Sequence, residues 1–229
     1  RRTIHKPWFA YPATTMAFAA AVHLTDMRAG LVRGVRAVAL TLLSWLLPLM
    51  ALIAGAFLAA LPFTGLALLW ATKSTAPILL SAASALIVLI NAAYQDGGRD
   101  RPPAVLRWAA RLAAVLLTPL VIIAGYGLAL RIGQYGLTPE RVCAAACVVV
   151  GAGFAAGYLP AALSRGPWLS RIELTNVVTA HLIVAVFLAL LSPLADPRRL
   201  SVEDQLRRLD DGRVTPARFD YAFLKFQAG

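Results

Sequence analysis

Between Ala37 and Thr72 the chain runs for 36 consecutive residues without one Asp, Glu, Lys or Arg, and the heart of this stretch reads TLLSWLLPLMALIAGAFLAALPF. At about 1.5 Å per residue, a single helix of that length would reach roughly 54 Å, well beyond the ~30 Å hydrocarbon core of a bilayer. The stretch must therefore break, and Pro62-Phe63-Thr64-Gly65 is the predicted place. The part from about Arg36 to Leu61 then reads as one transmembrane helix. No soluble fold of 229 residues accommodates such a segment easily, and the composition agrees, with 59% apolar residues, 14% charged and a mean hydropathy of +0.70.

Four more apolar runs follow. The second span is expected over 76–94, with Ser74 or Thr75 as N-cap and Pro77 in the first turn. QDGGRDRPP interrupts the chain before a third span over 106–130, which opens on Arg107, Trp108 and Arg111 and contains Pro119 and Gly125-Tyr126-Gly127. Thr138, Pro139 and Glu140 give a cap, an N1 proline and a carboxylate at the positive end of the helix dipole, so a fourth span is predicted over 141–164. Gly166-Pro167-Trp168 leads to a fifth over 172–191, and so short a connection makes spans four and five antiparallel neighbours. The fold class is thus an all-α polytopic bundle of about five spans. Residues 8–25 carry no formal charge on Lys, Arg, Asp or Glu but are Ala-rich and hold Thr14, Thr15 and His23, which predicts an interfacial helix over a sixth crossing.

The chain divides by composition into a transmembrane part, 1–195, and a polar tail, 196–229. Ser201 with Asp204 has the spacing of a capping box, Asp211-Gly212 a stop, and Thr215-Pro216 a second start followed by Phe219, Phe223 and Phe226. The tail therefore reads as a short amphipathic helical hairpin, with Val202, Leu206 and Leu209 on its apolar side and Arg207, Arg208 and Arg213 in water.

Candidate residues are few. Ala51, Gly55 and Ala59 form a small-residue stripe on the first span, and Gly153 and Gly157 a GxxxG on the fourth, both suited to close helix packing. His181 lies near the middle of the fifth span, with Asn176 and Thr179 close in sequence. At about 100° per residue, His181 points some 140° from Asn176, so these polar residues do not make one cluster. His181 is expected to act as a neutral packing donor to a neighbouring helix. Cys143 and Cys147 lie four apart in an apolar run, the spacing of neither a redox pair nor half a zinc site. HExxH, GxSxG, P-loop and dinucleotide fingerprints do not occur, so no catalytic, metal or cofactor residues are assigned and no cofactor is expected. The formal charge of +11 suits topology and anionic headgroups rather than nucleic acid, because no basic run interleaves with aromatics.

Twelve Lys and Arg fall in the N-terminal segment and the alternate loops after spans two and four, against three in the other two loops. The positive-inside rule places the twelve in the cytoplasm and, with five spans, the tail outside, although the tail itself carries seven Lys and Arg. The segments AYPATTMAFAAAVHLTDMRAGLVRGVR, LTLLSWLLPLMALIAGAFLAALPFTGL, NAAYQDG, QYGLTPERV and LSVEDQLRRLDDGRVTPARFDYAFLKF together resemble a bacterial family of multi-spanning membrane proteins, domain of unknown function 4153. The resemblance implies an inner-membrane protein of which this chain is the C-terminal part, with upstream spans and membrane lipids as partners; the start at Arg1 without Met agrees. It brings no reaction or catalytic residues. Gln227 stands where an acidic residue is expected, which removes a metal or polar role at that end. Three functions stay open: a structural or sensory envelope component, a permease-like transporter subunit, and a membrane enzyme completed by domains outside this chain.

Overall fold

The computed structural model describes residues 7–27, 29–65, 75–94, 103–164 and 168–213. Among them are seven helices and no strands: α1 (Pro7–Met27), α2 (Ala29–Thr64), α3 (Thr75–Tyr94), α4 (Ala104–Tyr135), α5 (Pro139–Leu163), α6 (Trp168–Leu191) and α7 (Pro197–Asp210). Five stretches, Val32–Thr64, Thr75–Tyr94, Ala104–Tyr135, Pro139–Leu163 and Arg171–Leu191, are long and apolar enough to cross a membrane. The expected all-α five-span class is what the chain adopts. The second predicted helix of the tail, with Phe219, Phe223 and Phe226, lies outside the described residues.

The chain forms two compact units, Arg1–Leu43 and Ser44–Gly229. In the first, α1 is helical through Pro12 and keeps its threonines busy locally, Thr14 and Thr15 donating to the Tyr11 carbonyl at 3.0 and 2.8 Å. It is not among the five long apolar helices.

In the second unit, α4 is the axis. Its alanine-rich face buries Ala110, Ala113, Ala114, Leu117, Val121 and Ala124, and small side chains let α3 and α5 pack against it on either side. α6 packs on α5, and α3 also meets α5. From α2 the core takes Leu47, Ala51 and Ala54. Burial falls away outward: 44% of the apolar window of α4 is buried but only 6% of that of α6. Leu174, Val178, Val184 and Leu188 of α6 accordingly face away from the protein, as lipid-facing residues should.

Several boundaries differ from the sequence expectation: the first-span helix already begins at Ala29 and not at 36, and α4 runs on to Tyr135, past the expected end at 130. The apolar stretch breaks within Pro62–Gly65 as expected, but α2 runs past the expected end at 61 to Thr64, and the stop is Gly65, at φ +70° with its N–H on the Leu61 carbonyl at 2.9 Å. A proline in the last turn forfeits one hydrogen bond, whereas the left-handed conformation that ends the helix suits glycine. The tail helix starts at Asp196-Pro197, not at Ser201. The Asp196 carboxylate accepts from the Arg198 N–H at 2.9 Å, and Ser201 is an interior, fully buried residue donating to the carbonyls of Pro197 and Arg198. An Asp cap followed by an N1 proline outweighs a serine one turn later. At α5, Thr138, Pro139 and Glu140 act as expected, the Thr138 hydroxyl accepting from the Arg141 N–H.

Candidate functional site

Two polar constructions stand out in an otherwise apolar bundle. The first joins three spans. Asn91 sits one turn before the end of α3, Tyr158 on the inner face of α5, and Asn176 two turns into α6. The Tyr158 hydroxyl donates to Asn176 Oδ1 at 2.6 Å, the Asn176 amide donates to Asn91 Oδ1 at 2.6 Å, and the Asn91 amide donates to the Tyr158 oxygen at 2.8 Å. The bonds close into a ring. The second N–H of Asn91 goes to the Ile87 carbonyl at 2.8 Å.

Tyr158 is 0% exposed, and Phe154 meets its ring edge-on with centroids 5.6 Å apart. A phenol so buried costs several kcal/mol if left unpaired, and the ring leaves none of its three members on that footing. About one turn further along α3, the Tyr94 phenol lies beside the Glu173 carboxylate. The ring is uncharged and self-satisfied. It can fasten α3, α5 and α6 in one register, and it offers no acid, base or nucleophile to a substrate.

Asn176, one of the anticipated intramembrane residues, belongs to this ring. Thr179 lies apart from it, 2% exposed, against the backbone of Gly153. His181 is exposed on the outer side of α6, and its Nδ1 bonds the Val177 carbonyl of its own helix at 2.8 Å, not a neighbouring helix as expected. A mid-span histidine bonded to its own i−4 carbonyl needs no second helix. Gly153 and Gly157 face α6: a Cβ on Gly157 would collide with the Thr175 side chain, and one on Gly153 would come within 2.9 Å of Leu182 Cδ2. On α2, Ala51 is 1% exposed and Gly55 lies within ordinary contact of Leu116, but Ala59 is exposed. Asn91 and Tyr158 were not singled out from the sequence. The available signal was a lone Asn in an apolar span, since such a group in lipid requires a partner.

The second construction lies at the end of the bundle where α4 turns into α5. The last carbonyls of a helix lack partners within it, and here α7 supplies them. Arg208 donates through Nη2 to Gln134 O at 2.8 Å and through Nη1 to Gly133 O at 3.2 Å and Ile132 O at 3.4 Å. Gln205 donates to the carbonyls of Tyr135 and Leu137 at 3.2 and 3.1 Å, and Asp204 accepts the Leu137 N–H at 2.7 Å. Arg141, stacked over Tyr135, closes the turn through Gly136 O at 2.5 Å.

Gly136 is required here. Its φ is +77°, and a Cβ would lie 2.6 to 2.9 Å from atoms of Gln205, Asp204 and Arg208. Arg208 is only 9% exposed, which corrects the expectation of an arginine in water. A helix C-terminus carries partial negative charge, and a guanidinium fork can satisfy several of its carbonyls at once.

Two apolar recesses lie between the described helices. One, of about 470 Å³, lies between α2 and α3 with walls that include Met50, Phe57, Ile78 and Leu120. The other, of about 450 Å³, lies among α3, α5 and α6 against Ile87, Cys147, Phe154 and Phe187. No Asp, Glu, Lys, Arg or His lines either. Among the described residues no group of three or more His, Cys, Asp or Glu is placed to hold a metal ion.

A bundle of five membrane-crossing helices, pinned inside by uncharged polar side chains and capped at one end by its own tail helix, defines a polytopic α-helical membrane protein. The chain belongs to the family described as Domain of unknown function (DUF4153), whose model matches residues 8–228. No curated protein and no solved structure gives a match in the comparisons made with this chain.

Proposed function

We propose that this chain is the structural membrane module of a bacterial inner-membrane envelope protein, a scaffold that holds its tail at one membrane face. The observation that supports it is where the polar groups of the spans point. The stretches 37–64, 75–94, 112–130, 142–163 and 174–191 contain no Asp, Glu, Lys or Arg. Their buried amides and phenol are spent on each other in the Asn91–Tyr158–Asn176 ring, and the recesses between helices are apolar. A solute path needs polar groups turned toward a cavity, and a hydrolytic or transfer site needs an activated side chain. A scaffold needs neither.

In this reading the Arg-bearing loops around 95–103 and 164–168 face the cytoplasm, and the α4–α5 turn with α7 faces the periplasm. Spans joined by short connections run antiparallel, and α7 sits on the α4–α5 turn. Membrane lipids, and spans of a longer protein upstream of Arg1, are the partners that such a module would meet.

The test is a flux measurement. The purified chain in liposomes carrying a pH dye inside and a potassium gradient should leave proton and potassium leak at the level of protein-free vesicles. Protein-dependent flux that disappears with Asn176→Leu would contradict the scaffold and favour the permease-like reading.

A further inference from the structure

We propose that α7 is a reversible latch, held on the α4–α5 turn by the Arg208 guanidinium in a socket of backbone carbonyls and able to leave it while the bundle stays folded. Helices that are permanent parts of a bundle are anchored by apolar side chains. The only well-buried residues of α7 are Ser201 and Arg208; of its apolar side chains Leu200, Val202 and Leu209 are only partly buried where it meets α5, and Leu206 is 41% exposed. The bonds that α7 makes to the turn all come from three polar side chains, Asp204, Gln205 and Arg208. Interfaces made of hydrogen bonds, each of small net worth against water, belong to the parts of proteins that open locally.

The released state is also accessible chemically. The socket consists of the carbonyls of Ile132, Gly133 and Gln134 at the very end of α4, where water can take the place of the guanidinium, so neither state leaves them without partners. The fit in the docked state is incomplete, because Arg208 Nε is buried without a hydrogen-bond partner while both Nη groups are engaged. The connection from α6 is a short bend, Ser192 to Asp196, outside either helix. It is tied to α6 only through the Ala189 carbonyl, which accepts the N–H groups of Ser192 and Ala195 at 3.1 and 3.2 Å and the Ser192 hydroxyl at 2.9 Å, so a pivot there leaves the body of the spans in place. Leu137 reports the latch directly: its N–H is held by the Asp204 carboxylate of α7.

The experiment is hydrogen exchange by mass spectrometry on the full chain in lipid nanodiscs. In the unmodified protein, the Leu137 amide and the α7 amides should exchange faster than those of 113–128, which lie in the buried axis. Arg208→Ala should speed exchange at Leu137 by about tenfold or more, since bonds from a charged donor are the stronger ones, and leave 113–128 unchanged.

Guanidinium chloride at low millimolar concentration should slow it again by refilling the socket, and sodium chloride at equal ionic strength should not. Gly136→Ala, which forces α7 off by steric contact and keeps Arg208, should open the latch without responding to guanidinium. Leu137 exchanging as slowly as the axis in the unmodified protein would overturn the proposal, even if the variants fail to fold. So would a variant in which 113–128 loosens together with α7, or an Arg208→Ala protein indifferent to guanidinium.

Discussion

At the scale of single residues, the three members of the hydrogen-bonded ring are coupled by geometry. Tyr158→Phe keeps the aromatic body against Phe154 but strips Asn91 and Asn176 of a partner each. It should lower stability by ~1–2 kcal/mol, the upper part of the range for interhelical polar contacts in membranes. Asn91→Ala and Asn176→Ala should each cost a similar amount, and the double variant clearly less than the sum, because the first substitution already opens the ring. Unfolding in mixed micelles measures this, and strict additivity would show that the three bonds act separately.

The glycines differ from one another in the same way. Gly157→Ala drives a methyl into Thr175, Gly153→Ala presses on the flexible end of Leu182, and Gly55→Ala meets Leu116 only at 3.6 Å. Destabilisation should follow that order, by roughly 1–3 kcal/mol for the first and near zero for the last. Equal melting of Gly157→Ala and Gly55→Ala would contradict the α5–α6 packing described above. His181→Gln should leave stability within ~0.5 kcal/mol, since the imidazole bonds only the Val177 carbonyl of its own helix.

At the scale of elements, apolar run lengths and helix caps were readable in the sequence, and partner choice was not. The second span, expected over 76–94, is a helix from Thr75 to Tyr94, and Thr138-Pro139-Glu140 starts α5, because run length and end chemistry are local properties. Gly153 and Gly157 announced a close contact, but only the packed structure shows that α6 fills it with Thr175 and Thr179. Asn91 was passed over since its partners are 67 and 85 residues away. The tail was misread for another reason. Its apolar residues suggested a stripe turned inward, whereas the α4 C-terminus, with its unpaired carbonyls, made a stronger demand on Arg208 than water did.

On the exposed side of α7, Arg199 and Glu203 form an i,i+4 pair at 2.7 Å. The hydrogen bond from Arg199, more than its charge, holds the Glu203 carboxyl below its usual range. A lowered folded-state value means that the support is present above the unfolded carboxylate pKa and fades as pH falls through the lower one. Both side chains are open to water, at 58% and 41% exposure, so Glu203→Gln should leave the exchange of α7 nearly unchanged at neutral pH. A large acceleration would place more of the helix's stability on this pair than screening in water allows.

At the scale of the whole molecule, the proposed five crossings put the α4–α5 turn and α7 at one membrane face and the ends of α3 and α5, at Tyr94 and Leu163, at the other. Charge counting alone left a conflict, since the tail carries seven Lys and Arg yet falls on the side the positive-inside rule leaves poor in them. Three of those arginines are engaged within the protein: Arg208 donates to the carbonyls that end α4, and Arg199 and Arg213 pair with Glu203 and Asp211. The direct measurement is labelling by an impermeant maleimide on intact cells, with single cysteines introduced in a background freed of Cys143 and Cys147. Cysteines at Gln134 and Arg213 should label from outside, and one at Gly98 only after lysis. Labelling of Arg213→Cys only after lysis, or of Gly98→Cys on intact cells, would contradict the five-span arrangement with its tail helix on the outer face.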